Sequence, residues 1–119
     1  MKSLIFIIFM ICVLSTRLYS QNFWVKTNFP ESDTIKVIAN DTNDVIYVGT
    51  FNSGAYKSTD NGESWNSINT GLPREKVMDI AINSKNHLFA IVWPEGIYKS
   101  TDNGDNWTEA YNGIPKKNG

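Results

Sequence analysis

The sequence predicts an all-β fold, and three observations lead to that prediction. Residues 54–65 return forty-two residues later as residues 96–107, so the chain contains an internal repeat. Each copy joins a short apolar run to an Asn-Gly turn, and a fixed period in the low forties with these features is typical of a four-stranded propeller blade. We therefore predict a partial β-propeller with two four-stranded antiparallel blades plus one orphan strand after a signal peptide.

The first twenty residues are predicted to form a cleaved signal peptide. Lys2 supplies a positive charge, and residues 4–14 are an unbroken apolar run of eleven. A transmembrane helix needs roughly 20 apolar residues, so this run is too short to cross a bilayer. Gln21 is the expected first mature residue. The mature protein is expected to be secreted, periplasmic or in the cell envelope, with no membrane span.

Composition narrows the possible chemistry of the mature chain. The single cysteine, Cys12, lies in the apolar run, so no disulfide or thiol chemistry is expected after cleavage. From Gln21 onwards the chain has nine basic and twelve acidic side chains, a net charge of −3 without blocks of either sign. Such a distribution offers no nucleic-acid surface, so no nucleic-acid partner is expected.

The propeller prediction assigns the rest of the chain in order. Residues 21–30 repeat the outline of tryptophan, polar strand and proline that closes each later unit, so they are predicted to be an orphan fourth strand. Blade one covers 31–73, with strands at 35–39, 45–50, 54–58 and 64–69. Blade two covers 74–115, with strands at 77–82, 88–93, 96–100 and 106–111, and 116–119 form a tail. The central strands are apolar on both faces, as expected for sheets packed between neighbouring blades.

The repeated hairpin has a structural explanation. Asp60 can accept backbone N–H bonds in its own turn, and Gly62 stands where a tight hairpin needs positive φ. Ser58 can bond the same turn, and Trp65 can fold back over it. The second copy supplies the same four types, Ser100, Asp102, Gly104 and Trp107.

These eight residues form the pattern Ser-Xaa-Asp-Xaa-Gly-Xaa-Xaa-Trp, which resembles the Asp-box, or BNR repeat, of sialidases, sortilin-type receptors and xyloglucan-degrading hydrolases. The resemblance implies a turn between the third and fourth strands of each blade, away from the binding face. It therefore implies an architectural role for both aspartates rather than a metal or catalytic one.

The number of blades poses a problem of closure. Propellers usually close with about 4–8 blades, more than this chain can hold. We expect either an amino-terminal piece of a longer propeller, or a truncated gene product, or a two-blade subunit that closes its ring by self-association. Further blades or further copies are therefore expected partners, because uncovered sheet faces and edges recruit other chains.

Loops on one face of a propeller form the expected ligand site. The loops that join second to third strands, and fourth strands to the next blade, share this face. They are residues 51–53, 93–95, 31–33 and 74–76, and the candidates singled out within them are Phe51, Asn52, Arg74, Trp93 and Glu95. Trp93 can stack on a sugar ring while Glu95 accepts hydroxyl bonds, but packing of Trp93 between blades is the favoured interpretation. A lone His87 is a poor metal ligand, and no metal or cofactor is predicted.

Three classes of function remain for this chain. The resemblance implies that a sialidase needs three arginines with a tyrosine and glutamate pair, whereas the mature chain has only Arg74. Hydrolases of the xyloglucan type use paired aspartates, for which Asp33, Asp44 and Asp79 are available but unmarked. We expect a non-catalytic binding or interaction module for a glycan or protein, or a structural or sensor segment of an envelope protein. The alternative is a fragment of an Asp-box glycoside hydrolase.

Overall fold

The structure, a computed structural model, describes residues 26–30, 33–73, 75–110 and 112–115. The described residues form two four-stranded antiparallel sheets without any helix, which confirms the predicted fold class. The strands are β1 (Ile35–Asn40), β2 (Ile46–Thr50), β3 (Ala55–Ser58), β4 (Asn66–Ser67), β5 (Val77–Ile82), β6 (Leu88–Val92), β7 (Gly96–Ser100) and β8 (Thr108–Glu109). Among these residues, no helix exists that is long and apolar enough to cross a membrane.

Both sheets have the same simple topology. Strands follow one another in sequence order, β1-β2-β3-β4 in sheet one and β5-β6-β7-β8 in sheet two. Each sheet carries a register shift in its first strand, between Ile35 and Val37 and again between Val77 and Asp79. The sequence repeat therefore corresponds to a repeated four-stranded unit, and the register shift in the first strand is repeated with it.

The fourth strands are shorter than the sequence predicted. β4 and β8 have two residues each, against six predicted for both 64–69 and 106–111. The hairpin explains the late start, because the Ser64 and Asn106 amides donate to the carboxylates of Asp60 and Asp102 and not to the third strand. Beyond β4, the Ile68 amide still bonds the Ala55 carbonyl at 2.9 Å.

Several predictions concern residues outside the described ranges. They are the signal peptide at 1–20, the start of the orphan strand at 21–25, the candidate Arg74 and the tail at 116–119. Residues 26–30, the described part of the predicted orphan strand, carry no strand assignment. They pack instead on sheet one, where the Phe29 ring lies 5.2 Å from that of Trp65 and 5.3 Å from that of Tyr56.

The core lies between the two sheets. Cross-strand partners share a face, so Tyr47 and Ala55 lie on the face of sheet one that sheet two covers. Both are fully buried, as are Val77 and Leu88, which sheet two contributes. At roughly 1.5–3 kcal/mol for each large apolar side chain buried, this contact between sheets is the main hydrophobic stabilisation of the described residues.

Polar contacts fix how the sheets align. The Lys57 ammonium lies 2.6 Å from the Asp105 carboxylate in the hairpin of sheet two. At the same end of the sheets, Thr42 in the turn after β1 donates its hydroxyl to the Asn86 amide oxygen at 3.0 Å. The Trp107 indole donates to the Ile68 carbonyl at 2.7 Å and the Trp107 amide donates to the Thr70 carbonyl at 2.9 Å. Each of these contacts joins the same two sheets.

Candidate functional site

The two repeated hairpins have the same internal hydrogen bonds. Ser58 donates to Asp60 at 2.8 Å and accepts from the Gly62 amide at 2.8 Å, while the Ser64 amide donates to Asp60 at 2.8 Å. In the second copy the Ser100 hydroxyl donates to Asp102 at 2.7 Å and the Gly104 amide donates to Ser100 at 2.8 Å. The serine and aspartate side chains therefore bond their own turns.

The backbone of the hairpins explains the glycines. Gly62 has φ 85° and Gly104 has φ 84°, and each follows an asparagine with φ 57°. Two successive residues with positive φ are the requirement of a type I′ turn, and the second is most easily met by glycine. A Cβ on Gly104 would also lie 2.6 Å from the Ile68 side chain of the other sheet.

Hydrogen bonds to the carboxylates lower their pKa. Bonds from the side chain and then the amide of Asn106, followed by the Ser100 hydroxyl, lower the pKa of Asp102 to about 2. The same kind of bonds from Ser64 and Ser58 lower the pKa of Asp60. A carboxylate held ionised by its own turn is a poor proton donor, so these two groups are suited to holding the hairpin together.

The opposite end of the sheets gathers the loops that the sequence indicated for ligand binding. The Asn52 amide and side-chain nitrogen both donate to Asp33, at 2.9 and 3.1 Å. The Gly54 amide donates to the Glu75 carbonyl at 2.7 Å, and the Trp93 amide donates to the Lys76 carbonyl at 2.9 Å. These bonds tie the loop after β2, the loop before β5 and the loop after β6 into one rim.

Asp33 is the residue that organises the first of these loops. Desolvation raises its pKa, but hydrogen bonds from Ser53, Asn52, Thr50 and Thr34 outweigh it and lower the pKa to about 2. The Asp33 carboxylate therefore stays charged except at strongly acidic pH. Its two bonds to Asn52 fix the side chain that lies beside the groove.

Phe51 lies between two cations. The Lys36 Nζ is 5.2 Å and the Lys76 Nζ 4.9 Å from the centre of its ring. Lys36 comes from β1 of sheet one, and Lys76 from the loop that opens sheet two. Cation–π attraction at such distances contributes about 0.5–1 kcal/mol at exposed sites, so Phe51 helps to hold the two lysines at the rim.

A groove of about 470 Å³ opens beside this cluster, between the two sheets. The described residues that line it are Asn52, Glu75, Lys76, Trp93 and Pro94. Trp93 exposes 61% of its surface, so its indole is open to solvent beside the groove. An exposed indole, a carboxylate, an ammonium and an amide therefore share one concave surface.

The candidates from the sequence fall into three groups. Asn52 and Trp93 line the groove, and Phe51 stands next to it, stacked against the lysine that does line it. Glu95 follows Pro94 and is half-buried, and it is not among the described lining residues. Arg74 lies outside the described residues.

Three further groove residues, Glu75, Lys76 and Pro94, lie in loops that the sequence indicated for this face. No individual role was predicted for any of the three from the sequence. Lys36 was also missed, because it lies on a strand and reaches the rim only through Phe51. The sequence signal for Glu75 and Lys76 was their position in the loop that joins blade one to blade two.

The described residues do not assemble a metal centre or a carboxylate pair from the three aspartates considered above. No group of three or more potential metal-binding side chains is found among them. Asp33 bonds the loop at Asn52, Asp44 lies in the turn before β2 and Asp79 lies in β5. The groove thus presents an aromatic face and hydrogen-bonding groups.

A protein-family model matches the chain. The DUF6242 beta propeller domain matches residues 11–118, which is most of the chain. No curated protein matches the sequence.

Proposed function

Because this chain belongs to the DUF6242 beta propeller family, we propose that it is a non-catalytic binding module that recognises a ligand in the rim groove. The ligand that the groove chemistry favours is a glycan, and a protein is the other candidate. The observation that carries the proposal is the exposed indole of Trp93 set beside Glu75 and Lys76.

Each groove residue has a chemical role in this proposal. The flat face of Trp93 suits the apolar face of a pyranose ring, which presents C–H groups to an aromatic surface. Glu75 accepts hydrogen bonds from hydroxyl groups, and Lys76 donates them. Asn52 already uses its nitrogen to bond Asp33, which leaves its carbonyl oxygen to accept a bond from a ligand.

The repeated hairpins support a relationship to the Asp-box repeats. The serine, aspartate and glycine of the pattern bond one another with the same partners in both copies. They lie between the third and fourth strands of each sheet, away from the groove, where the resemblance implied. We propose that the two sheets are Asp-box blades of an incomplete propeller, and that these residues take no part in binding.

The proposed location of the protein is the periplasm, the cell envelope or the medium. It rests on the charged start and apolar run of residues 1–20, which lie outside the described residues. A glycan ligand fits such a location, because polysaccharides are abundant there.

The experiment is a glycan array probed with the full chain, followed by calorimetric titration of the best ligand. Trp93→Ala is expected to weaken binding by about tenfold or more, since it removes the stacking surface. Ile114→Ala is the matched control, because Ile114 is 55% exposed and does not line the groove. It is expected to leave the affinity unchanged.

Two results would overturn the proposal. One is a glycan or protein ligand whose affinity is the same for Trp93→Ala and the wild type, since the groove would then not be the site. The other is release of product from a fluorogenic sialoside or from xyloglucan by the purified chain. That result would favour the glycoside hydrolase fragment.

A further inference from the structure

We propose that the outer face of sheet two is a docking surface for a second copy of this chain, which binds head to tail through the outer face of sheet one. Sheet two packs its inner face on sheet one. The repeat places related side chains on the outer face of each sheet, against which no further sheet packs among the described residues.

The first of these faces, the receiving face, belongs to sheet two. In sheet one, the face that sheet two covers carries Ala39, Tyr47, Gly49, Ala55 and Lys57. The receiving face carries their counterparts forty-two residues on, Ala81, Phe89, Ile91, Ile97 and Lys99. The alanine, aromatic and lysine positions of Ala39, Tyr47 and Lys57 are kept, whereas isoleucine replaces Gly49 and Ala55. Ile91 is 45% exposed on the receiving face, while Tyr47 is fully buried on the covered face of sheet one.

The second face, the docking face, belongs to sheet one. Ile35 and Ile38 are 52% and 68% exposed there. Their counterparts in sheet two, Val77 and Ile80, are 0% and 5% exposed because they pack on sheet one. The docking face also holds an open groove of about 380 Å³ that Ile38 and Ile46 help to line. Exposed apolar side chains therefore lie on both the receiving face and the docking face. The equivalent face of the other sheet is in each case part of the buried contact between the sheets.

Charge complementarity favours a second copy as the occupant. Within the chain, Lys57 pairs with Asp105 at 2.6 Å and bonds the Asn103 carbonyl at 3.2 Å. The residues forty-two positions away are Lys99 on the receiving face and Glu63 in the hairpin of sheet one. A second copy docked in the same manner sets its Glu63 against Lys99, so the ion pair is reproduced with the same signs.

A second polar contact, between the turns that follow the first strand of each sheet, is reproduced as well. Inside the chain the amide and hydroxyl of Thr42 both donate to Asn86. The corresponding residues are Ser84 on sheet two and Asp44 on sheet one of the second copy. The Asp44 carboxylate can accept both bonds from Ser84, so the hydrogen-bonding chemistry is again complementary.

Residues 26–30, which we call the arm, occupy part of the docking face. A Cβ on Gly62 would meet Thr27 at 3.3 Å, as one on Gly104 meets Ile68. The arm thus fills the place that the end of a neighbouring fourth strand takes. A second copy must displace the arm. The Trp65 indole has a buried nitrogen with no partner among the described residues. In the docked pair this indole meets Ala110 of the second copy, as Trp107 meets Ile68 within one chain.

Two positions of the receiving face depart from their counterparts, Ile97 at the position of Ala55 and Ile91 at that of Gly49. Gly49 admits the close approach of sheet two, since a Cβ there would lie 2.8 Å from the Val77 side chain and 3.1 Å from its carbonyl oxygen. Ile91 stands at this position in sheet two. It holds a second copy further out at this corner, so its removal is expected to tighten the association.

Head-to-tail contacts repeat from copy to copy and close when the rotation completes a ring. With two sheets in each chain, two to four copies supply the about 4–8 blades that propellers use.

Analytical ultracentrifugation of the full chain, up to about millimolar concentration, measures the association. Lys99→Glu and Glu63→Lys, each alone, are expected to weaken it about two- to fivefold, as for other partly exposed ion pairs. An equimolar mixture of the two variants restores it, because every interface then pairs opposite charges. Lys85→Glu is the matched control, since its counterpart Asn43 is exposed and it leaves the association unchanged.

Gain and loss variants complete the test. Phe29→Ala loosens the arm and Ile91→Gly removes the projecting side chain, so both are expected to strengthen association, whereas Ile91→Lys abolishes it. Near-ultraviolet circular dichroism of each variant verifies that it is folded. The proposal is overturned if the wild type and both gain variants remain monomeric. It is equally overturned if association occurs but responds no more to Lys99→Glu than to Lys85→Glu.

Discussion

Trp107 donates its indole N–H to the backbone carbonyl of Ile68, 2.7 Å away in the other sheet. The repeat counterpart of Trp107, Trp65, has a buried indole nitrogen with no partner among the described residues. Two tryptophans at the same place in the repeat therefore differ in whether a neighbouring sheet is present to receive their N–H.

This difference gives the first prediction. Trp107→Phe leaves the Ile68 carbonyl without its donor in a buried place, so the free energy of unfolding is expected to fall by about 1–3 kcal/mol. Trp65→Phe removes no such bond and is expected to cost clearly less. Urea unfolding followed by circular dichroism measures both. Equal losses would show that ring volume, and not the hydrogen bond, dominates at these positions.

The second prediction concerns pH. The pKa of Asp102 is about 2 in the folded chain, below the roughly 3.9 of an unfolded aspartate. Its contribution to stability is therefore complete above about pH 3.9 and is lost as the pH falls through about 2. Asp60, whose pKa is also lowered, acts in the same direction.

Asp102→Asn tests this linkage. The variant is expected to be less stable than the wild type at pH 6, and the difference is expected to shrink as the pH approaches 2. Thermal unfolding across this range measures the difference in Tm. Asp79→Asn, outside the hairpins, serves as the control, and an Asp102→Asn deficit that stays constant down to pH 2 would contradict the linkage.

Gly49 provides the third prediction. A Cβ at this position would lie 2.7 Å from the Val37 side chain and 2.8 Å from that of Val77, which belongs to the other sheet. Gly49→Ala is therefore expected to push the sheets apart and lower the free energy of unfolding by about 1–3 kcal/mol. Asn66→Ala, at an exposed position of β4, is the contrasting variant and is expected to change stability little. Chemical denaturation compares the two variants, and a neutral Gly49→Ala would show that the contact between sheets adapts.

The fourth prediction concerns the loop beside the groove. Asp33 accepts two bonds from the Asn52 amide and one from its side chain. Asp33→Ala is expected to leave global stability nearly unchanged, because the residue lies at the rim. Hydrogen exchange at the Asn52 amide is expected to accelerate, and ligand affinity at the groove to fall. Protection at Asn52 equal to that of the wild type would place the control of this loop elsewhere.

Much of the fold was predictable because the chain contains the same sequence unit twice. The period of forty-two and the Asn-Gly turns predicted two four-stranded units, and the apolar central runs predicted sheets packed against each other. The gathering of Asn52 and Trp93 on one rim also followed from counting strands, since alternate loops lie at the same end of a sheet.

Other features depended on contacts that no local pattern encodes. The sequence gives Trp65 and Trp107 the same surroundings, yet only Trp107 has a neighbouring carbonyl to bond. The exposure of Trp93 and the approach of Lys36 and Lys76 to Phe51 likewise arise from how the two sheets meet. Local hydrogen bonds and turn sterics act within a few residues, so the sequence alone determined the blades, whereas side-chain burial and partners depend on distant strands and only the tertiary structure decided them.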